Sequence, residues 1–158
     1  MGSGESGYYY TSGGSKRVHH HALIHSIDGK FTHNNRTGKP QKLVSGGHGQ
    51  NNINVMKRYG ISFTILKTYP NGVRIGNVAR HPWKTKRFHG GQAWFPKEWT
   101  TQDVVRAGEH VAALKNNRHK PDGVTLWGTY KGVKVGIIKR WGQIQTIFPS
   151  VLQPKGKQ

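Results

Sequence analysis

The sequence predicts an α+β fold, with small helices and loops towards the N-terminus and then an antiparallel sheet with a packed helix. Three observations carry that expectation. Segments 61–69 and 73–78 are rich in β-branched residues and are joined across Asn71-Gly72, a dipeptide suited to a hairpin turn. Apolar residues recur at helical spacing over 100–114, behind a threonine that can cap the first turn. The last third of the chain alternates β-branched runs with Gly-containing turns.

Residues 1–15, MGSGESGYYYTSGGS, read as a Gly/Ser linker or expression remnant, which leaves 16–158 as the expected domain. His19, His20 and His21 run directly into Ala22-Leu23-Ile24 and read as native sequence. Residues 25–49 are polar, dotted with Gly29, Gly38, Gly46 and Gly47, and show no period, so loop with short helix or strand pieces is expected. Ile53, Val55, Met56 and Tyr59 predict one short helix over 51–59, stopped at Gly60. After the hairpin, 80–89 (RHPWKTKRFH) reads as a basic-aromatic loop and 93–96 as a short strand. Thr100 or Thr101 caps the helix to about 114, with Val104, Val105, Gly108, Val111 and Ala112 as its buried stripe. Three strands follow, turning at Lys131-Gly132 and Trp141-Gly142. Trp94, Phe95, Trp99, Trp127 and Val135 are expected in the core.

Charge narrows the function. In 158 residues, 25 Lys+Arg stand against 6 Asp+Glu, a formal net charge of +19, and a polyanion is the expected partner. The carboxylates are scattered, the nearest two being Glu98 and Asp103, which argues against a two-metal nuclease site. The basic surroundings argue equally against a carboxylate-pair glycosidase. With no cysteine there is no zinc ribbon, disulfide framework or thiol nucleophile. No stretch approaches the roughly 20 apolar residues of a membrane span, and nothing reads as a signal peptide, so a soluble single domain is expected, and a monomer is expected separately.

RNA cleavage without a metal needs three things: a group to remove the 2′-hydroxyl proton, one to protonate the departing 5′-oxygen, and a cation for charge on the phosphorane. Histidine serves the first two because both of its forms are available near neutral pH, and lysine serves the third. The chain has ten histidines. Two stand out: His25 in HSIDGK and His48 in SGGHG, where a double glycine lets the backbone approach a phosphate closely.

Four segments in order resemble the EndoU ribonucleases, in particular the bacterial EndoU domains at the C-termini of secreted and contact-dependent growth inhibition toxins. They are His25-Ser26-Ile27-Asp28-Gly29, matching H-x-[IF]-x-G; Gly46-Gly47-His48, matching G-x-H; the basic stretch running into Trp94-Phe95-Pro96 and Trp99-Thr100; and Thr146-Ile147-Phe148-Pro149, matching T-x-[YF]-P. The similarity spans 18–152. It implies an EndoU-like fold and two catalytic histidines at His25 and His48, with His21 and His33 near enough to compete for the first place. It implies a catalytic lysine before WFP, at Lys86, with Lys84 and His89 as alternatives and Lys84 otherwise a substrate-binding cation. Thr146 would contact the base. Phe148 stands where many relatives carry Tyr, so it can stack but donates no hydrogen bond, and the uridine preference of other relatives is not implied. Ala93 stands where relatives often have Ser or Thr. No cofactor or metal is implied. The expected products are 2′,3′-cyclic phosphate and 5′-hydroxyl ends on RNA, tRNA foremost. The expected setting is a secreted toxin domain acting in the target-cell cytoplasm, held in check by an acidic cognate immunity protein.

Two other readings compete. A non-catalytic nucleic-acid-binding module would also be basic and aromatic, but it has no need of the histidine pair. A metal enzyme built on His19–His21 would need adjacent histidines to converge on one ion, with no carboxylate nearby.

Overall fold

The computed structural model describes residues 8–9 and 18–155, among which there are four helices and three sheets. The helices are α1 (His20–Ile27), α2 (Gln50–Arg58), α3 (Lys84–Phe88) and α4 (Thr101–Ala113). The C-terminal meander forms as its sequence predicts, with β8 (Thr125–Tyr130), β9 (Val133–Arg140) and β10 (Gln143–Pro149) antiparallel. Lys131-Gly132 and Trp141-Gly142 turn with positive φ at both positions, the twist that a two-residue hairpin requires. β2 (Val18–His19) extends this sheet in parallel at the β10 edge, and β1 (Tyr8–Tyr9) pairs with β2. Apart from Tyr8–Tyr9, the expected linker 1–15 lies outside the described residues.

α4 packs on this sheet. Thr100 caps it: its hydroxyl accepts the Asp103 N–H at 3.2 Å, while the Asp103 carboxylate accepts the Thr100 N–H at 2.8 Å. Such a reciprocal cap is worth about 1 kcal/mol. The expected stripe is buried, and Val104, Val105, Val111 and Ala112 pack with Val133, Val135, Ile137, Ile144 and Ile147 in the main core. Phe95 joins that core, and Trp99 stacks on it at 5.0 Å between ring centroids.

The hairpin is β5 (Phe63–Thr68) and β6 (Arg74–Val78), joined by β7 (Gln92–Trp94) into a three-stranded sheet. α2 buries Ile53 and Met56 beside Leu43, Ile61, Val78 and Trp94 in a second core. Tyr59 caps the C-terminal end of α2 and is exposed.

Two expectations need correction, while residues 25–49 hold the short helix and strand pieces expected of them: α1 covers His25, and β3 (Lys30–His33) pairs with β4 (Pro40–Ser45). That hairpin buries only Leu43 and carries two register shifts, so no alternation is left in the sequence to read. The basic loop 80–89 contains α3, a single turn with no buried side chain and no side-chain cap, and hence no helical signature. Trp127 is not core. It is 41% exposed, on the sheet face opposite α4.

Candidate active site

The two histidine segments are joined through main-chain groups that a helix end leaves free. α1 stops at Ile27, so its last carbonyls lack intrahelical partners. Those of His25, Ser26 and Ile27 accept the N–H groups of Gly47 (3.0 Å), His48 (2.6 Å) and Gly49 (3.0 Å). Gly46 makes this approach possible. It sits at φ +67°, and a Cβ there would lie 2.1 Å from the His25 carbonyl oxygen. Ser26 ties the same helix to β10, its hydroxyl accepting the Ile147 N–H at 3.1 Å.

β7 closes the arrangement from the other side. Gln92 Nε2 donates to the carbonyls of Gly46 (3.1 Å) and Gly47 (2.8 Å), and the Phe95 N–H donates to the His48 carbonyl (2.7 Å). His48 Nδ1 lies 2.8 Å from the Ala93 carbonyl oxygen. A carbonyl only accepts, so Nδ1 carries the proton and Nε2 keeps its lone pair. Ala93 therefore contributes its backbone where relatives often place a hydroxyl.

A cavity of about 610 Å³ opens where these segments meet α3 and the five-stranded sheet. His25, His48, Lys86, Thr146 and Phe148 all line it. The register of β10 shifts between Ile144 and Thr146, an irregularity that changes which side chains share a face. Ile144 and Ile147 both face α4 as a result, while Thr146 and Phe148 both face the cavity. The Phe148 ring lies 6.0 Å from that of His48. Of the remaining candidates, Lys84 and His89 are exposed, and neither they nor His21 or His33 line the cavity.

Burial first, and then the Lys86 charge, push the His48 pKa from 6.5 down to about 3. Burial, then Lys30 and Lys86, also lower His25. Lys86 is itself lowered by burial. His48 is thus neutral at neutral pH, with Nε2 unprotonated and able to accept a proton.

Sequence reasoning missed His81. It is fully buried and lines the cavity. Its Nδ1 accepts the Trp83 N–H at 3.0 Å, which places the proton on Nε2, a buried atom with no hydrogen-bond partner. Burial, then the charges of Lys86 and Arg87, lower its pKa to about 4. Arg87 Nη1 clamps the same loop through the carbonyls of His81 (2.8 Å) and Pro82 (3.2 Å). His81 is therefore the buried anchor of the turn that presents Trp83 and Lys86. Nothing in Arg80-His81-Pro82 marks it beforehand.

These two histidines make the fold acid-sensitive. In the unfolded chain each takes up a proton near pH 6.5, whereas folded His48 and His81 resist protonation down to about 3 and about 4. Their contribution to stability is whole above pH 6.5 and is lost as pH falls below it. By pH 4.5 the loss should be on the order of 2–3 kcal/mol for each. Denaturant midpoints at pH 7 and 4.5 measure it, and a His81→Gln variant should show a shallower fall; equal midpoints at both pH values would contradict it.

Among the described residues, no group of three or more His, Cys, Asp or Glu is placed to hold a metal ion, and no helix is long and apolar enough to cross a membrane. The side chains of His19 and His20 lie outside the described residues. No curated protein and no solved structure matches the chain. The family model for the bacterial EndoU nucleases does match, over residues 19–151. That span takes in both histidine segments, the α3 lysine and the closing strand that carries Thr146 and Phe148. With every residue that lines the cleft except Leu152 inside that match, the chain belongs to the bacterial EndoU nuclease family and is an endoribonuclease.

Proposed function

We propose that this domain is a secreted toxin that cleaves RNA, tRNA foremost, by metal-independent transesterification in the cytoplasm of a target cell. The observation that carries the chemistry is the Ala93 carbonyl on His48 Nδ1, which leaves Nε2 unprotonated in a cleft shared with His25 and Lys86. His48 Nε2 takes the proton from the 2′-hydroxyl as that oxygen attacks phosphorus. His25 gives a proton to the 5′-oxygen as the P–O5′ bond breaks. Lys86, held half-buried on α3, offsets the charge that builds on the phosphorane. The products are a 2′,3′-cyclic phosphate and a 5′-hydroxyl. Phe148 and Thr146 are proposed as the base contacts, since both reach the same cavity on one face of β10.

The test is incubation of purified tRNA with the protein in EDTA, followed by analysis of the product ends. Cyclic phosphate and 5′-hydroxyl ends are expected; 5′-phosphate ends, or no cleavage until a metal is added, would refute the mechanism. The two lysines of α3 provide a sharper check. Lys86→Ala should reduce kcat more than affinity, whereas Lys84→Ala, altering an exposed cation outside the cleft, should weaken binding alone and flatten its salt dependence. Losses confined to binding in both variants would show that neither lysine is the catalytic cation.

A toxin of this charge needs an inhibitor in the cell that makes it. A +19 domain favours an acidic immunity protein that covers the cleft and the basic segment 80–89, associating fast at low salt and slowly at high salt. Expression of the active domain without such a partner should arrest growth, and harmless expression would refute the toxin role.

A further inference from the structure

Two tryptophans on different elements line the catalytic cavity, and the family's motifs account for neither. Trp83, at the start of α3, is 66% exposed, while Trp127, on β8, is 41% exposed. Between them the cleft runs Trp127, Phe148, His48, Lys86, Trp83. Phe148 is 5.5 Å from Trp127 and 6.0 Å from His48 by ring centroids, and His48 in turn feels the Lys86 charge three positions along the chain from Trp83.

Both rings are held by built features. Trp83 donates its N–H to buried His81 at 3.0 Å, and its carbonyl accepts from Lys86 (3.0 Å) and Arg87 (3.1 Å), so the backbone is fixed while the indole faces out. Trp127 is seated by a missing side chain. Gly136, on β9 between β8 and β10, is the register partner of Trp127 on one side and of Phe148 on the other. A Cβ there would lie 2.7 Å from Phe148 and 2.8 Å from Trp127. The two rings lean together over that gap, edge to face at an interplanar angle of 83°. A cation stands over the outer ring, with Lys134 Nζ 5.1 Å from its centroid.

Exposed tryptophans with a lysine beside each, opening into one cleft with the histidine pair, suit unpaired nucleotides: base on indole, phosphate on lysine. We propose that Trp83 and Trp127 are the stacking residues of a two-sided nucleotide clamp, each holding one base of the RNA strand on either side of the cut. The proposal rests on the endonuclease reading. It makes stacking, rather than hydrogen bonding to a base edge, the source of site choice, in keeping with a phenyl ring at 148. A duplex, whose bases are already stacked on one another, cannot engage either ring.

The probe is a short single-stranded oligonucleotide carrying 2′-O-methyl groups throughout, which binds but lacks the nucleophile. Trp83→Ala and Trp127→Ala should each weaken its binding about 5- to 100-fold, the usual worth of one stacked base. Trp83→Phe and Trp127→Phe should recover most of that loss, and Gly136→Ala should reproduce the Trp127 defect by displacing the rings. Thermal unfolding of each variant separates this from a folding defect, and Trp83→Ala, altering an exposed ring, keeps the test open if changes at 127 destabilise the sheet. Wild-type cleavage of unmodified RNA together with unchanged oligonucleotide binding in both alanine variants would overturn the clamp and leave the endonuclease reading intact. Unchanged RNA binding with lost binding of an acidic partner protein would likewise overturn it and make the two rings a protein-docking patch. A wild-type protein that neither cleaves nor binds would instead remove the reading on which the clamp rests.

Discussion

His48→Ala is expected to slow RNA cleavage by about 10²–10⁴-fold, the usual worth of a positioned proton-transfer group. The substitution removes Nε2 from the cleft and also leaves the buried Ala93 carbonyl without the donor now 2.8 Å away. Those two effects can be separated. His48→Asn keeps an amide donor near the position of Nδ1 and should recover stability without recovering rate. His25→Ala should show a loss of similar size, and the double variant should lose little more than either single one, because the two groups act in one step. Single-turnover cleavage of a tRNA substrate measures all four. Full activity in His48→Ala would end the assignment of this residue as the base.

Gly46→Ala should be nearly as damaging, although residue 46 has no side chain to lose. Its φ of +67° disfavours any L side chain, and the new methyl would collide with the His25 carbonyl oxygen, a main-chain atom with no room to yield. Overpacking of this kind costs about 1–3 kcal/mol, and the strained backbone adds to it. The larger effect falls on rate. Gly47, His48 and Gly49 donate to the end of α1, so displacing residue 46 moves His48 relative to His25. A misplacement of about 1 Å between reacting groups can reduce rate about 10²-fold. Gly38→Ala is the control, since it changes a glycine of like φ whose Cβ would meet open space. Comparable activity in the two variants would show that the Gly46–His25 approach is not what positions the pair.

Where one physical period dominated, the chain could be read directly. The Thr100 cap, the buried stripe of α4, the hairpin at Asn71-Gly72 and the last three strands all follow from patterns written within a dozen residues. Composition narrowed the reactions to consider: the chain has ten histidines, sparse carboxylates, no thiols and a net charge of +19. The order of motifs then singled out His25, His48, Lys86, Thr146 and Phe148, and the fold brings all five to one cavity.

What neighbouring residues could not carry, the tertiary structure decided. Lys84 and Lys86 look alike in a basic loop, and only the single turn of α3, which no local signal encodes, sends one into the cleft and leaves the other outside it. His81 was missed and Trp127 was placed in the core because their positions depend on distant partners: the charges and packing around the 81–88 turn for one, and the absent Cβ of Gly136, on the strand between Trp127 and Phe148, for the other. The tautomer of His48 depends on a carbonyl 45 positions away, that of Ala93. Sequence alone determined the main elements and the basic, histidine-rich, thiol-free character of the chain, because periodicity within an element and composition need no tertiary partner. Protonation, reach and the shape of the cleft were settled only by folding, because burial and main-chain hydrogen bonds join segments that the sequence keeps apart.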